Sequence, residues 1–507
     1  MTRRRRASVV LAVLLAAAVT GSPGPASAAI ITPNTTADQF DTDPANCSLR
    51  EAVDAADDNS VADAPGCTAG DAAMDTVRLP PGRYELTIPQ NNALVEDVAS
   101  GDLQHSANLR VEAVPGTTEP VTIDANQTDR IFQSFANLEV DGITLTGGFV
   151  DAPGDFTAST GGAIGASSGP SLTMTDSAVV GNRSDGFGGG IAWPGGPGDV
   201  TLTNVTVSGN TATEQGGGGI ETGGTLAMDH VTVTNNLAVA NGSMAGGFAG
   251  GGVLLTSMTA ASVHNSIIAS NSENRQPANT PNCEGNFTST GGNILGTEGT
   301  CNFTQLVTDD VEVADPGLAP LGDYGGSSLT HALLGGSTAI DQGVATCQSN
   351  DQRGLPRSAA PCEAGAYEVQ PDDADGDSVL DGADNCPNAV NARQENNDGD
   401  AQGDACDPDD DNDGVADVAD NCDFLANADQ ADNDGDGIGN VCDPTPNPPP
   451  APPAPPAPPA PIAPAITPAV APTFDLAAAI KRCKKKFPKR KKRRKCIRKA
   501  KARARAG

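Results

Sequence analysis

Apolar residues between about positions 100 and 300 alternate with Thr, Ser and Asn in runs too short to bury a face of their own. In DVTLTNVTVSGN (199–210), Leu202, Val205 and Val207 are spaced for strands of three to five residues. The pattern repeats. SLTMTDSAVVGN (171–182), TLAMDHVTVTNN (225–236) and a degenerate ASVHNSIIASN (261–271) share its frame, and VDGITLTGG (140–148) fits it as an earlier copy. Asp176, Asn204, His230 and Asn265 occupy one register; Asn182, Asn210, Asn236 and Asn271 occupy another, six residues on. GGAI (161–164), GGGI (188–191), GGGI (217–220) and GGGV (250–253) precede the copies, so the period runs from 26 to 35 residues.

A strand this short gains stability only by stacking on equivalent strands of neighbouring repeats, and a fixed period of this size signals a solenoid. Asparagines at equivalent turn positions would form a hydrogen-bonded ladder, and glycines would supply tight corners. The expected fold is all-β, a parallel β-helix over 76–370. A two-sheet sandwich is the alternative and predicts antiparallel hairpins instead.

Both ends of the coils carry capping signals. Ser48-Leu49-Arg50-Glu51 forms a capping box ahead of a helix with Leu49, Val53 and Ala56 on one side, within an N-terminal cap assigned to 29–75. CSLREAVDAAD resembles the CSLREA motif of secreted bacterial β-helix proteins. DQRGLPRSAAPCEAGAYE (351–368) is similar to the closing motif of the same group. The resemblance implies a right-handed β-helix on a secreted or surface protein.

Past the coils, residues 372–443 place Asp or Asn at nearly every second position. Asp409, Asp411, Asp413, Asp417 and Asp420 stand at positions one, three, five, nine and twelve of a loop, with Gly414 at six and the Val415 carbonyl at seven. Such an oxygen set suits Ca2+, which accepts six to eight hard donors in flexible geometry. The spacing recurs in Asp373, Asp375, Asp377, Asp381 and Asp384; in Asn396, Asp398, Asp400, Asp404 and Asp407; and in Asp432, Asp434, Asp436, Asn440 and Asp443. Ser378 in place of glycine, and Asn396 and Asn440 in place of carboxylates, predict weaker binding in those three loops. A disordered acidic linker is the bland alternative, but it requires neither this register nor interleaved cysteines.

Cys386, Cys406, Cys422 and Cys442 punctuate the loops, and Asn391 with Gln394, then Asn427 with Gln430, form N-x-x-Q pairs. These motifs resemble the thrombospondin type 3 repeat. The resemblance implies a calcium-wound segment nearly devoid of apolar core, with disulfides Cys386–Cys406 and Cys422–Cys442.

Charge separates the remaining parts. The chain carries a net charge of −33, yet no lysine precedes Lys481; residues 30–480 hold 10 Arg against all 64 acids, and residues 481–507 hold 17 Lys plus Arg and no acid. Arg3–Arg6, the apolar stretch Val9–Val19 and Ala26-Ser27-Ala28 read as a signal peptide over 1–28. Residues 444–472 form a Pro-Ala linker, extended as polyproline to roughly 90 Å. The basic tail, 473–507, suits an anionic envelope polymer better than nucleic acid, given export. Twelve cysteines fit an oxidising compartment, and local pairing gives Cys47–Cys67, Cys283–Cys301, Cys347–Cys362 and Cys483–Cys496.

Catalysis finds little support in the sequence. Arg130, Arg183 and Arg275 lie apart from clustered acids, and Asp176, Asp185, Glu221 and Asp229 do not align in register, which points to solvent-facing turn residues. His230 reads as a surface ladder residue. The chain is therefore expected to be a secreted, calcium-binding, non-enzymatic surface or wall-associated protein. Its β-helix would serve adhesion by binding an extracellular glycan or protein. The alternative is a polysaccharide lyase or glycosidase with a calcium-binding accessory module.

Overall fold

A computed structural model describes residues 28–444 apart from internal segments, the longest being 90–100, 152–159, 240–249 and 275–281. The expected signal peptide, Arg275, Ser378, Asp436, nearly all of the linker and the basic tail with Cys483 and Cys496 lie outside the described residues. The chain divides into two compact units, 1–431 and 432–507.

The first unit is a parallel solenoid. One coil runs through Ile191–Trp193, Asp199–Thr203, Thr206–Ser208 and Thr211–Ala212; the next repeats it as Ile220–Thr222, Thr225–Asp229, Thr232–Thr234 and Leu237–Ala238. Each strand pairs in parallel with its counterpart one coil away, never with a chain neighbour. Register is set by burial: Val200 opposes Leu226 and Leu202 opposes Met228 inside, while Thr201 opposes Ala227 outside. A one-residue slip would turn every inward aliphatic to solvent. The pairings exclude the sandwich.

The corners explain the repeated polar residues. Asp176, Asn204, His230 and Asn265 adopt positive φ of 50°, 51°, 54° and 43° at one corner. At the next corner stands the asparagine ladder, which is buried. Asn182 donates from its backbone N and from Nδ2 to Asn210 Oδ1, both at 3.0 Å; Asn210 does the same to Asn236, and Asn236 to Asn271. Asn271 continues the ladder to Asn282, a rung with no counterpart in the repeat alignment. The glycine triplets permit close approach: a Cβ on Gly218 would stand 2.3 Å from the Gly251 carbonyl oxygen.

The first turn of the solenoid is covered by the helix Leu49–Asp58, which buries Leu49, Ala52, Val53, Ala55 and Ala56. Its capping box is formed: Ser48 N donates to Glu51 Oε2 at 2.8 Å, and Glu51 N to Ser48 Oγ at 3.2 Å. Arg50 is fully buried, paired to Asp38 at 2.8 Å and donating to the carbonyls of Gly101 and Asp102. The cap is not separate from the coils, because Ile30–Ile31 pairs in parallel with Asp75–Leu79.

The far boundary differs from expectation. The last parallel strand is Val311–Val313, and Leu318–Gly322 then pairs antiparallel with Thr330–Leu333. The closing motif does not seal an end. It runs along a flank, where Thr206 Oγ1 donates to Gln352 Oε1 and Ala366 N to Thr232 Oγ1, and the hairpin before it joins the same flank through Leu329 N, which donates to Thr144 Oγ1. Thr144, Thr206 and Thr232 open three strands of one sheet, with the strand opened by Ala178 between the first two, and point outward, so residues 318–368, which form a strap along this flank, provide the partners that solvent otherwise would.

Candidate metal centre

The acidic loops fold by hydrogen-bonding their own carboxylates to the backbone. In the first loop Asp373 Oδ1 accepts from Gly376 N at 2.8 Å, Asp375 Oδ1 from Asp377 N at 3.1 Å, Asp377 Oδ1 from Val379 N at 2.8 Å, and Asp381 Oδ1 from Ala374 N at 2.7 Å. The third loop repeats this: Asp411 accepts from Asp413 N, Asp413 from Val415 N, and Asp417 from Asp410 N. The second loop does so with Asp398, Asp400 and Asp404. In the separate second unit, Asp432 accepts from Gly435 N and Asn440 from Asn433 N. In Asp375 and Asp411 one carboxylate oxygen is thus committed to the turn, and the other is left to face inward.

Those inward oxygens converge. Asp373, Asp375 and Asp377 present ligand atoms within 4.8 Å of one another, as do Asp398, Asp400 and Asp407, and Asp409, Asp411 and Asp413. Asp375 Oδ2, Asp384 Oδ2, Asp409 Oδ1 and Asp411 Oδ2 are buried and accept no hydrogen bond. Buried anionic oxygens without partners call for a cation. Burial, and next the Asp377 charge, push the Asp375 carboxyl up to about 6. The donors are all oxygen, which fits calcium and excludes a thiolate zinc site. Bound there, the ion would neutralise the mutual repulsion of the loop carboxylates and fix the turns around it.

Residues 371–394 and 395–430 match the thrombospondin type 3 repeat. No curated protein matches the chain. The repeat is a calcium-binding module of extracellular type, and every cysteine among the described residues is disulfide-bonded. Four of the pairs are Cys47–Cys67, Cys283–Cys301, Cys347–Cys362 and Cys386–Cys406. No helix among the described residues is long and apolar enough to cross a membrane.

The N-x-x-Q pairs of the repeat have a mechanical role. Gln394 Nε2 donates to Asp384 Oδ1 at 2.7 Å while its Oε1 accepts from Asn385 N at 2.8 Å; Gln430 treats Asp420 and Asn421 the same way. Asn391 N and Asn427 N donate to the second oxygens of Asp377 and Asp413. These residues orient the carboxylates at positions five and twelve. Two features escaped the sequence register. Position four takes positive φ in all four loops, at Gly376, Gly399, Asn412 and Gly435. Asp410, outside the one-three-five-nine-twelve frame, is 7% exposed with Oδ1 unpartnered, and burial with the Asp417, Asp404 and Asp407 charges raises it to about 6.

On the solenoid, several expectations need correction. His230 is not a surface rung: it is fully buried, with Nε2 3.4 Å from Cys362 Sγ. Glu221 is 2% exposed, not solvent-facing, and burial pushes it up to about 7. Arg130 is buried against Asp102 at 2.9 Å, and Arg183 lies over the Phe149 ring at 5.1 Å. The charged cluster of the coils is elsewhere. Arg110 pairs with Glu112, Glu139 and Asp141 at 2.7, 3.0 and 2.6 Å, and Arg78 with Glu112 at 2.7 Å. Arg110, Glu112, Asp141, Asp176 and the strap residues Gln352 and Arg353 line a groove of about 390 Å³. Burial pushes Asp176 up to about 7 although Asn204 Nδ2 donates to it at 2.9 Å.

Proposed function

We propose that the chain is an exported, non-enzymatic surface or wall-associated protein that binds an extracellular glycan or protein along its β-helix and is organised by calcium. The observation that carries this reading is a regular outward lattice of mostly polar side chains. Thr173, Thr201, Ala227 and Ser262 stand in register on successive coils, as do Thr175, Thr203, Asp229 and His264 beside them. Strands about 4.8 Å apart repeat those groups along the rod, a spacing suited to an extended polymer with its own repeat. The basic tail would hold the protein to anionic envelope polymers, with the Pro-Ala segment as spacer.

A glycan array read with and without calcium, beside reducing-sugar and unsaturated-product assays, tests this. Calcium-dependent binding without product supports adhesion. Product from any bound glycan overturns it in favour of the second reading, a glycosidase, which the Asp141 and Asp176 carboxyls beside Arg110 would serve. Moderate salt should release the full chain from purified walls, and deleting 481–507 should reduce its retention; equal retention after the deletion would sink the tethering role.

A further inference from the structure

Asp229 and His264 are register partners on neighbouring strands, so their side chains stand side by side on the outward face of the same sheet. The chain then turns at His230, whose φ of 54° brings the ring back against the same carboxylate. Asp229 Oδ1 lies 2.8 Å from His230 Nδ1 and 3.0 Å from His264 Nδ1, and the two rings stand edge to face with centroids 6.1 Å apart.

We infer that Asp229, His230 and His264 form a binding site for a borderline divalent transition metal of the zinc class, chemically distinct from the calcium loops. The three ligand atoms lie within 4.8 Å of one another. Zinc bonds to nitrogen and carboxylate oxygen of about 2.0 to 2.2 Å in a tetrahedron put ligand atoms about 3.3 Å apart, a few tenths beyond the N···O separations here. Small ring rotations suffice to admit the ion. Two imidazoles and one carboxylate with a position left for water match zinc's preference, whereas calcium does not choose nitrogen.

The surroundings are built for such a centre. Asn265 Nδ2 lies 3.3 Å from His230 Nε2 and, as a donor, makes that nitrogen the acceptor. His230 Nδ1 then carries the proton, the one that a metal replaces. Gln348, from the flanking strap, donates Nε2 to Asp229 Oδ2. Outer partners of this kind fix ligand orientation. The His230 side chain is 0% exposed, His264 16% and Asp229 31%, so the site has a buried floor and an open mouth. Cys347 and Cys362 stand near His230 but are joined in a disulfide, so their sulfurs are not thiolate ligands.

The test is zinc uptake by the full, oxidised, untagged chain in excess calcium, which fills the acidic loops, measured by equilibrium dialysis and calorimetry. The expected result is one tight zinc per chain, with affinity falling more than about tenfold in His264→Gln and in Asp229→Asn, and about tenfold in Gln348→Ala. On the wild-type chain, where folding of a variant is not at issue, zinc should slow carbethoxylation of His264 by diethyl pyrocarbonate. Unchanged uptake in the His264 and Asp229 variants overturns the assignment. So does zinc-independent labelling of His264, or uptake seen only after disulfide reduction, which would place the ion on thiolates.

Discussion

The phenol of Tyr367 donates its hydrogen to the backbone carbonyl of Gly376. Tyr367 belongs to the strap that runs along the solenoid, and Gly376 is the fourth residue of the first calcium loop. Arg353 adds to the joint: its guanidinium lies 3.6 Å from the Tyr367 ring centroid and Nη1 donates to the same carbonyl at 3.4 Å. Arg393 of the repeats also pairs with Asp323 at 3.2 Å. The first loop is therefore seated on the solenoid, and order in the loop is coupled to order in the strap.

That coupling predicts that calcium raises the unfolding temperature of the coils as well as that of the loops. Tyr367→Phe removes one hydrogen bond, worth about 1 kcal/mol. It should reduce the calcium-dependent part of the increase and leave the calcium-free unfolding temperature nearly unchanged. Calorimetry with calcium and with chelator reads both. A calcium increment equal to wild type would show that the joint transmits nothing.

Chelation should expose the acidic loops themselves. Without the ion, Asp409 Oδ1 and Asp411 Oδ2 are buried anionic oxygens with no partner, and opening the turn restores their hydration. Limited proteolysis in chelator is expected to cut within 395–430, and calcium to suppress the cuts. Asp413→Ala should require higher calcium for protection, because Asp413 also accepts from Val415 N and Asn427 N.

The solenoid was largely legible in the sequence because its two ladders keep one six-residue offset in every copy, so Asn182, Asn210, Asn236 and Asn271 could be aligned without a structure. The calcium loops were legible for the same reason. What stayed hidden depends on contacts far apart in the chain. His230 shares a register with Asp176, Asn204 and Asn265, but its burial comes from Cys362, 132 residues away. The strap likewise carries no periodicity of its own, and its path along the flank is fixed by hydroxyls such as Thr206 and Thr232. Asp410 was missed because it falls between ligand positions, and only packing shows it buried.

The ladder should be the most sensitive part of the rod. Asn236 donates Nδ2 to the carbonyls of Val207 and Thr234 as well as to Asn271, and its Oδ1 accepts from Asn210. Asn236→Ala leaves several buried groups unpaired, each costing about 1 to 3 kcal/mol, so the total loss is on the order of 3 kcal/mol or more. Asn236→Asp also destabilises, because a carboxylate cannot donate to the two carbonyls. Urea unfolding midpoints rank the variants; an Ala variant as stable as wild type would remove the ladder from the account of stability.

Glu221 gives the coils a pH dependence of defined sign. It is 2% exposed, Thr256 Oγ1 donates to Oε1 at 2.9 Å, and burial raises its carboxyl to about 7. A raised carboxyl binds its proton more tightly folded than unfolded, so its contribution is full below the unfolded value of about 4.3 and is lost as pH rises toward 7. The loss is on the order of 3 kcal/mol across that window, because each pH unit between the unfolded and folded values corresponds to about 1.4 kcal/mol. Glu221→Gln, which stays neutral, should remove this part of the slope and be more stable than wild type at pH 7.5. At pH 4 the two should unfold at similar urea concentrations. Urea midpoints measured at both pH values, in constant calcium, decide it: parallel profiles for the two proteins would mean that Glu221 ionises without cost and that its burial is relieved by water.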